Sequence, residues 1–219
     1  LLGRAADAMR ERGMPISLLF ASRLDFYGRL GWESWPGSRS LIRRTTGPGD
    51  ADPAPTGLEV AGFDAARDLP DVQRIHEAYT GRRQGAVVRD AGAWEATLRN
   101  GGNPLEEFLV ARRGGGVVAY ARATVISGFL LLTELGRNAD APEALAALVA
   151  RLLTPREGDL LEVPGRPSRE LRTLGVGPPL FDDALAEALR ARGLGVDGHP
   201  DPNAMFRCLD PEGLARAAG

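Results

Sequence analysis

The chain has 219 residues and no lysine, so all 27 of its cationic side chains are arginine. It has one cysteine, Cys208, and two histidines, His76 and His199. A single thiol cannot close an internal disulfide, which makes a reducing cytoplasm the expected setting. Two isolated histidines and a distant cysteine form neither a metal-ligand set nor a Cys–His nucleophile pair, so no metal is expected. Long apolar runs are missing as well: the stretches 16–21 and 129–132 fall far short of the ~20 residues that a membrane-spanning helix needs. A formal net charge of -2 and the lack of a basic block exclude the electrostatic footprint of a nucleic-acid binder. What is there is an ordinary globular composition, 43% hydrophobic and 26% charged, long enough for one large domain or two smaller ones.

Leu2, Ala5, Ala6 and Met9 recur at spacings of three and four, which predicts a first helix ended at Gly13. The continuous apolar run after Pro15 predicts a strand buried on both faces of a sheet. A short helix or turn follows over 23–31, and further strand over 32–44, interrupted at Pro36-Gly37. Residues 45–57 read TTGPGDADPAPTG, with three prolines, three glycines and almost no apolar bulk. That composition marks a linker, so the expected organisation is a short unit at 1–44, a linker at 45–57 and a longer unit at 58–219.

In the longer unit the patterns predict a strand at 58–63, helices at 64–80 and 90–100, and a meander of strands at 107–113, 117–125 and 129–136. Gly114-Gly115-Gly116 supplies the positive φ values of a hairpin, and without a following helix or Lys-Ser/Thr it is not a phosphate loop. Val118, Tyr120, Arg122 and Thr124 are expected on one face of their strand. Asp140 with Glu143 fits a capping-box variant, and Leu145, Leu148, Val149 and Leu152 form the apolar stripe of the helix it starts. A strand at 159–163, a helix at 182–192 capped by Gly193 and a strand at 204–209 complete the series. The expected class is α/β (α+β), a mixed twisted sheet flanked by helices.

Residues 21–32 read ASRLDFYGRLGW, directly after a helix and an apolar strand. This pattern resembles the end of a GCN5-related N-acetyltransferase (GNAT) domain, most of all in Eis-type acetyltransferases, where two GNAT-like domains precede a sterol-carrier-like domain. Residues 85–89 (GAVVR), Trp94 and Thr133-Glu134-Leu135 resemble the middle, non-catalytic domain of that family. Residues 205–210 (MFRCLD) with Leu214-Ala215 resemble the lead into the third domain. The resemblance implies a fragment: the back of a catalytic GNAT domain, a degenerate second one, a phosphate-binding loop expected just before Leu1, and a third domain expected beyond Gly219.

The activity so implied is transfer of acetyl from acetyl-CoA to a primary amine, of an aminoglycoside-like compound, a polyamine or lysine, by a homo-oligomer. Tyr27 matches the general acid of the family, since a phenol with a pKa of ~10 stays protonated near neutrality and can give its proton to a departing thiolate. It reads equally as an aromatic packed between strand and helix. Ser22 would contact the cofactor near its thioester, or cap the strand end. Arg29 would meet cofactor phosphate, or stand in solvent. Trp32 and Trp35, expected on one strand face beside Glu33, would line an amine pocket, or pack across strands. Two further readings stay open: another tandem GNAT enzyme of mycothiol-synthase-like type, and an inactive GNAT repeat that binds a ligand or serves assembly.

Overall fold

The computed structural model describes residues 1–35, 37–45, 55–81, 87–100, 106–126, 129–154, 174–176 and 182–218. The chain divides into two compact units, Leu1–Arg39 with Gly198–Gly219, and Ser40–Asp197. These limits differ from the expected 1–44 and 58–219 at both ends, because the last strand pairs with the first instead of joining the second unit. Part of the predicted linker, and the strand predicted at 159–163, lie outside the described residues.

The first unit holds helix α1 (Leu2–Glu11), strand β1 (Ile16–Phe20), the short helix α2 (Leu24–Gly28) and strand β2 (Glu33–Ser34). From the chain's end it takes β10 (Ala204–Cys208) and a helix that the sequence did not announce, Pro211–Ala218. The three strands make an antiparallel sheet in the order β1-β10-β2, with Leu18 opposite Phe206 and Phe206 opposite Glu33. Burial of β1 on both faces does not occur: Ser17 is buried, while Leu18 and Phe20 on the other face are 62% and 69% exposed. Nor do Trp32 and Trp35 share a face. Three residues is an odd separation, and a strand alternates with a period of two, so Trp32 is buried and Trp35 is exposed.

The second unit contains β3 (Gly37–Arg44) from Ser40 onward, β4 (Leu58–Gly62), α3 (Ala65–Thr80), α4 (Ala91–Asn100) and β5 (Glu107–Arg113). It continues with β6 (Gly116–Ile126), β7 (Phe129–Arg137), α5 (Pro142–Leu152), β8 (Leu174–Val176), α6 (Asp183–Ala191) and β9 (Leu194–Asp201) up to Asp197. The final helix Pro211–Ala218 is then α7. The strand order is β4-β5-β6-β7-β8-β3-β9, antiparallel from β4 to β7 and parallel between β7 and β8. Gly114 and Gly115, at φ 59° and 87°, make the β5–β6 turn in a conformation that a Cβ opposes.

Two cores lie on opposite faces of this sheet. Ala119, Ala121 and Ala123 of β6 pack with α5, and Val110, Tyr120 and Val117 pack with Val72 and Ile75 of α3 and Trp94 of α4. Small residues on the α5 side let that helix approach closely. Helix α5 is buried all round, since the sheet covers one side of it and α6 another. The expected phase of β6 holds for Tyr120 and Arg122 and breaks at Val118. A bulge there leaves Arg112 opposite Val117 and Ala111 opposite Ala119, so Val117 joins the face of Tyr120 and Val118 turns to α5. The Asp140 capping box does not form either. Ala141 is the N-cap, without a side-chain bond, and Glu143 pairs with Arg113 instead.

Candidate active site

Around Tyr27 one long-range tie and two local turns set the side chains. The Ala21 N–H donates to the Asn203 carbonyl at 2.9 Å, which ties the end of β1 to the turn before β10. One turn of helix follows, and the Tyr27 carbonyl accepts from both Leu30 and Trp32 N–H, at 2.9 and 3.2 Å. Gly31, at φ 85°, then turns the chain inward, so Trp32 enters the core and is 4% exposed.

Tyr27 is half-buried and stands edge-on to Phe26 and Trp32, with centroids 5.1 and 6.4 Å away. Its hydroxyl has no hydrogen-bond partner among the described residues, and the same holds for the exposed Ser22. Arg29 is exposed and committed locally: its guanidinium lies 3.3 Å from the Asp25 carboxylate one turn earlier. Glu33 is exposed on β2, opposite Phe206. Trp32 lies under the Arg207 guanidinium, 5.0 Å from its ring centre, and its indole N–H finds no acceptor among the described residues. The structure therefore brings Tyr27 and Trp32 together in one aromatic cluster, with Ser22 one turn before it in the chain.

The second unit holds a polar cluster that no single segment announces. His76 Nε2 lies 3.0 Å from the Val87 carbonyl, which can only accept, so that nitrogen carries a proton. His76 Nδ1 is 2.9 Å from the Tyr120 hydroxyl and 3.0 Å from Glu134 Oε1. Tyr120 donates to the same carboxylate oxygen at 3.1 Å, Arg89 pairs with it, and Arg122 bridges Glu134 Oε2 at 3.3 Å and Glu106 at 2.7 Å. Burial alone would raise the Glu134 carboxyl. Hydrogen bonds from His76 and Arg89, with the charges of Arg89 and Arg122, outweigh it and bring Glu134 down to about 2. Tyr120 moves the opposite way, raised by burial and then by the neighbouring Glu134 charge.

A second buried pair joins Arg112 to Asp68 at 2.6 Å, and a third joins Arg137 to Asp182, which also caps α6 through the Leu185 N–H. Both aspartates are lowered: burial opposes ionisation, and the arginine hydrogen bonds prevail. Three residues quoted for their sequence pattern, Arg89, Trp94 and Glu134, thus meet around His76, whose ring stands edge-on to Trp94 at 5.2 Å. The pattern was the only local signal for this cluster. Among the described residues no group of three or more His, Cys, Asp or Glu is placed to hold a metal, and no helix is long and apolar enough to cross a membrane.

No family model matches the chain. A protein named as an uncharacterized N-acetyltransferase of Streptomyces coelicolor is 31% identical over 133 residues, which are 57% of this chain and 32% of that protein. A probable N-acyltransferase of Enterococcus faecalis superposes with a TM-score of 0.61 at 14% identity, over 96% of this chain and 50% of the other. A GCN5-related N-acetyltransferase of Anabaena variabilis gives 0.57 at 14%, over 95% and 50%. Eis1 of Mycobacterium abscessus gives 0.51 at 23%, over 99% and 53%. The chain spans about a third of the curated relative and about half of each of these structures. With its mixed sheet flanked by helices, the chain has the fold of the GCN5-related N-acetyltransferases.

Proposed function

We propose that the chain is part of an Eis-like N-acetyltransferase that moves acetyl from acetyl-CoA to a primary amine of an aminoglycoside-like compound, a polyamine or lysine. Tyr27 is its general acid. The observation that carries this reading is the contrast between two tyrosines. Tyr120 is fully buried and commits its hydroxyl to His76 and Glu134. Tyr27 is half-buried, and its hydroxyl is uncommitted among the described residues. A proton donor must be able to give its proton away; Tyr79 donates to Asp182, so among the described tyrosines only Tyr27 is so placed.

Acetyl-CoA supplies the activated acyl group. Among the residues present, the exposed Ser22 hydroxyl at the end of β1 fits a contact with the cofactor's acyl end. Arg29 meets phosphate only by leaving Asp25, an exposed pair whose rupture costs little. Trp32 holds the Tyr27 ring from the core side, and Glu33 offers an exposed carboxylate to an ammonium. The first unit then belongs to the catalytic domain, and the second is the degenerate repeat in a cytoplasmic homo-oligomer. A ligand-binding or assembly role for the second unit is favoured by its self-satisfied polar cluster, which has no proton to spare.

The test is thiol release from acetyl-CoA by the full gene product with kanamycin, spermidine and lysine as acceptors. Tyr27→Phe is expected to lose about 10²- to 10⁴-fold in rate, the usual share of general acid catalysis. Undiminished activity would remove Tyr27 from the mechanism.

A further inference from the structure

The second unit contains a cavity of about 380 Å³ between the C-terminal half of α3 and the start of α4. That volume lies in the range of small-molecule sites. Its inner wall is aromatic: the buried Trp94 indole and the edge of His76. Val87 and Val88 line it too, and at 61% and 94% exposure they form an apolar ledge that the described residues leave uncovered.

The charges around it are one-sided. Arg89 lines the cavity, yet its guanidinium is spent on Glu134 and lies over the Trp94 ring, 4.8 Å from the centre. Glu77, one residue beyond His76 on α3, lines the cavity, and its exposed carboxylate has no hydrogen-bond or ionic partner among the described residues. Asp90 lines it from the start of α4, where one of its oxygens takes the Ala93 N–H at 2.7 Å and the other stays open. Among the described residues an anion would meet two carboxylates and no free cation. A cation with an apolar or aromatic body meets two exposed carboxylates and a valine ledge beside the buried Trp94.

We propose that this cavity is a binding site for a small organic amine, taken as its ammonium, with Glu77 and Asp90 receiving the charge and the valine ledge beside Trp94 receiving the body. The site lies wholly within the second unit and uses no atom of the Tyr27 cluster, so it stands or falls apart from the acetyltransferase reading.

Calorimetric titration of the full chain with tyramine, without acetyl-CoA, tests it against 4-ethylphenol, which has the same body and no amine. Tyramine is expected to bind saturably and 4-ethylphenol far more weakly. The Glu77→Gln/Asp90→Asn double variant is expected to weaken tyramine about five- to tenfold, the effect of two partly exposed charge contacts. Asparagine keeps the α4 cap, so the melting temperature should not move. Tyr27→Phe should bind tyramine as the parent does, whatever it does to acetyl transfer. Absence of saturable tyramine binding, equal binding of the two probes, or undiminished binding by the folded double variant would each overturn the proposal.

Discussion

The Tyr120 hydroxyl donates a hydrogen bond to Glu134 across 3.1 Å, where the tyrosine is fully buried. The same carboxylate oxygen lies 3.0 Å from His76 Nδ1, so one buried anion organises two donors from different elements. Glu134 is one of three carboxyls in the second unit, with Asp68 and Asp182, that folding holds below their ordinary values.

Its carboxyl sits at about 2 in the folded chain, against an ordinary value of 4.5. Because the folded state holds this proton less tightly, the stability from Glu134 is complete above pH 4.5 and is lost as pH falls towards 2. The contribution near neutrality is on the order of 3 kcal/mol, and the lowered Asp68 and Asp182 add in the same direction. Urea unfolding followed from neutral pH down to about 3 should show this loss, and Glu134→Gln should flatten it. A Glu134→Gln protein as acid-sensitive as the parent would contradict the assignment.

The two tyrosines should separate in stability as they do in surroundings. Tyr120→Phe strips one donor from a buried carboxylate and a hydroxyl partner from the His76 imidazole, at a cost of about 1–3 kcal/mol. Tyr27→Phe removes a hydroxyl with no partner among the described residues and should stay within about 0.5 kcal/mol of the parent. Chemical denaturation of both variants gives the comparison directly.

Asp68 and Arg112 have side chains 1% and 3% exposed, 2.6 Å apart. Asp68→Asn leaves the guanidinium buried with Glu59, itself 66% exposed at 3.3 Å, and the Gly62 carbonyl at 3.5 Å. Stranding a buried charge in this way costs about 3–5 kcal/mol, which a urea midpoint will register. A loss of only a few tenths would mean that water reaches Arg112.

Gly136 on β7 is fixed by close approach. A Cβ added there would lie 2.5 Å from Tyr120 Cε1 and 3.1 Å from Ile75 Cγ2. Gly136→Ala must push the Tyr120 ring and loosen its bond to Glu134, so a loss of about 1–3 kcal/mol is expected. Near-ultraviolet circular dichroism should report the disturbed ring along with the lower melting temperature.

Much of the second unit was legible because its signals are local. Gly114 and Gly115 need only their own φ angles to make a hairpin, and Asp182 caps α6 three residues on, as helix starts do. The stripe of Leu145, Leu148, Val149 and Leu152 showed that α5 is a helix with an apolar face. It could not show that the opposite face is buried as well, since α6 arrives from over thirty residues later. In the candidate site, the run from Ser22 to Trp32 located the turn and the tyrosine. Reading Trp32 and Trp35 onto one face failed on the odd spacing between them, and one of them went into the core.

By itself the sequence determined most of the elements up to α5, the helix at 183–191 and the stretch that carries Tyr27, because periodicity, glycine φ freedom and helix capping act between residues close in the chain. It did not announce the strands at 174–176 and 194–201 or the last helix. Tertiary structure alone decided that 198–219 packs with 1–39, that Val118 bulges out of phase, and that Leu18 and Phe20 lie exposed while Tyr120 is sealed. It alone brought Arg89, Trp94 and Glu134 to His76. Those outcomes depend on which strand lies beside which, and strand pairing joins residues far apart in the chain through backbone groups that are the same at nearly every position.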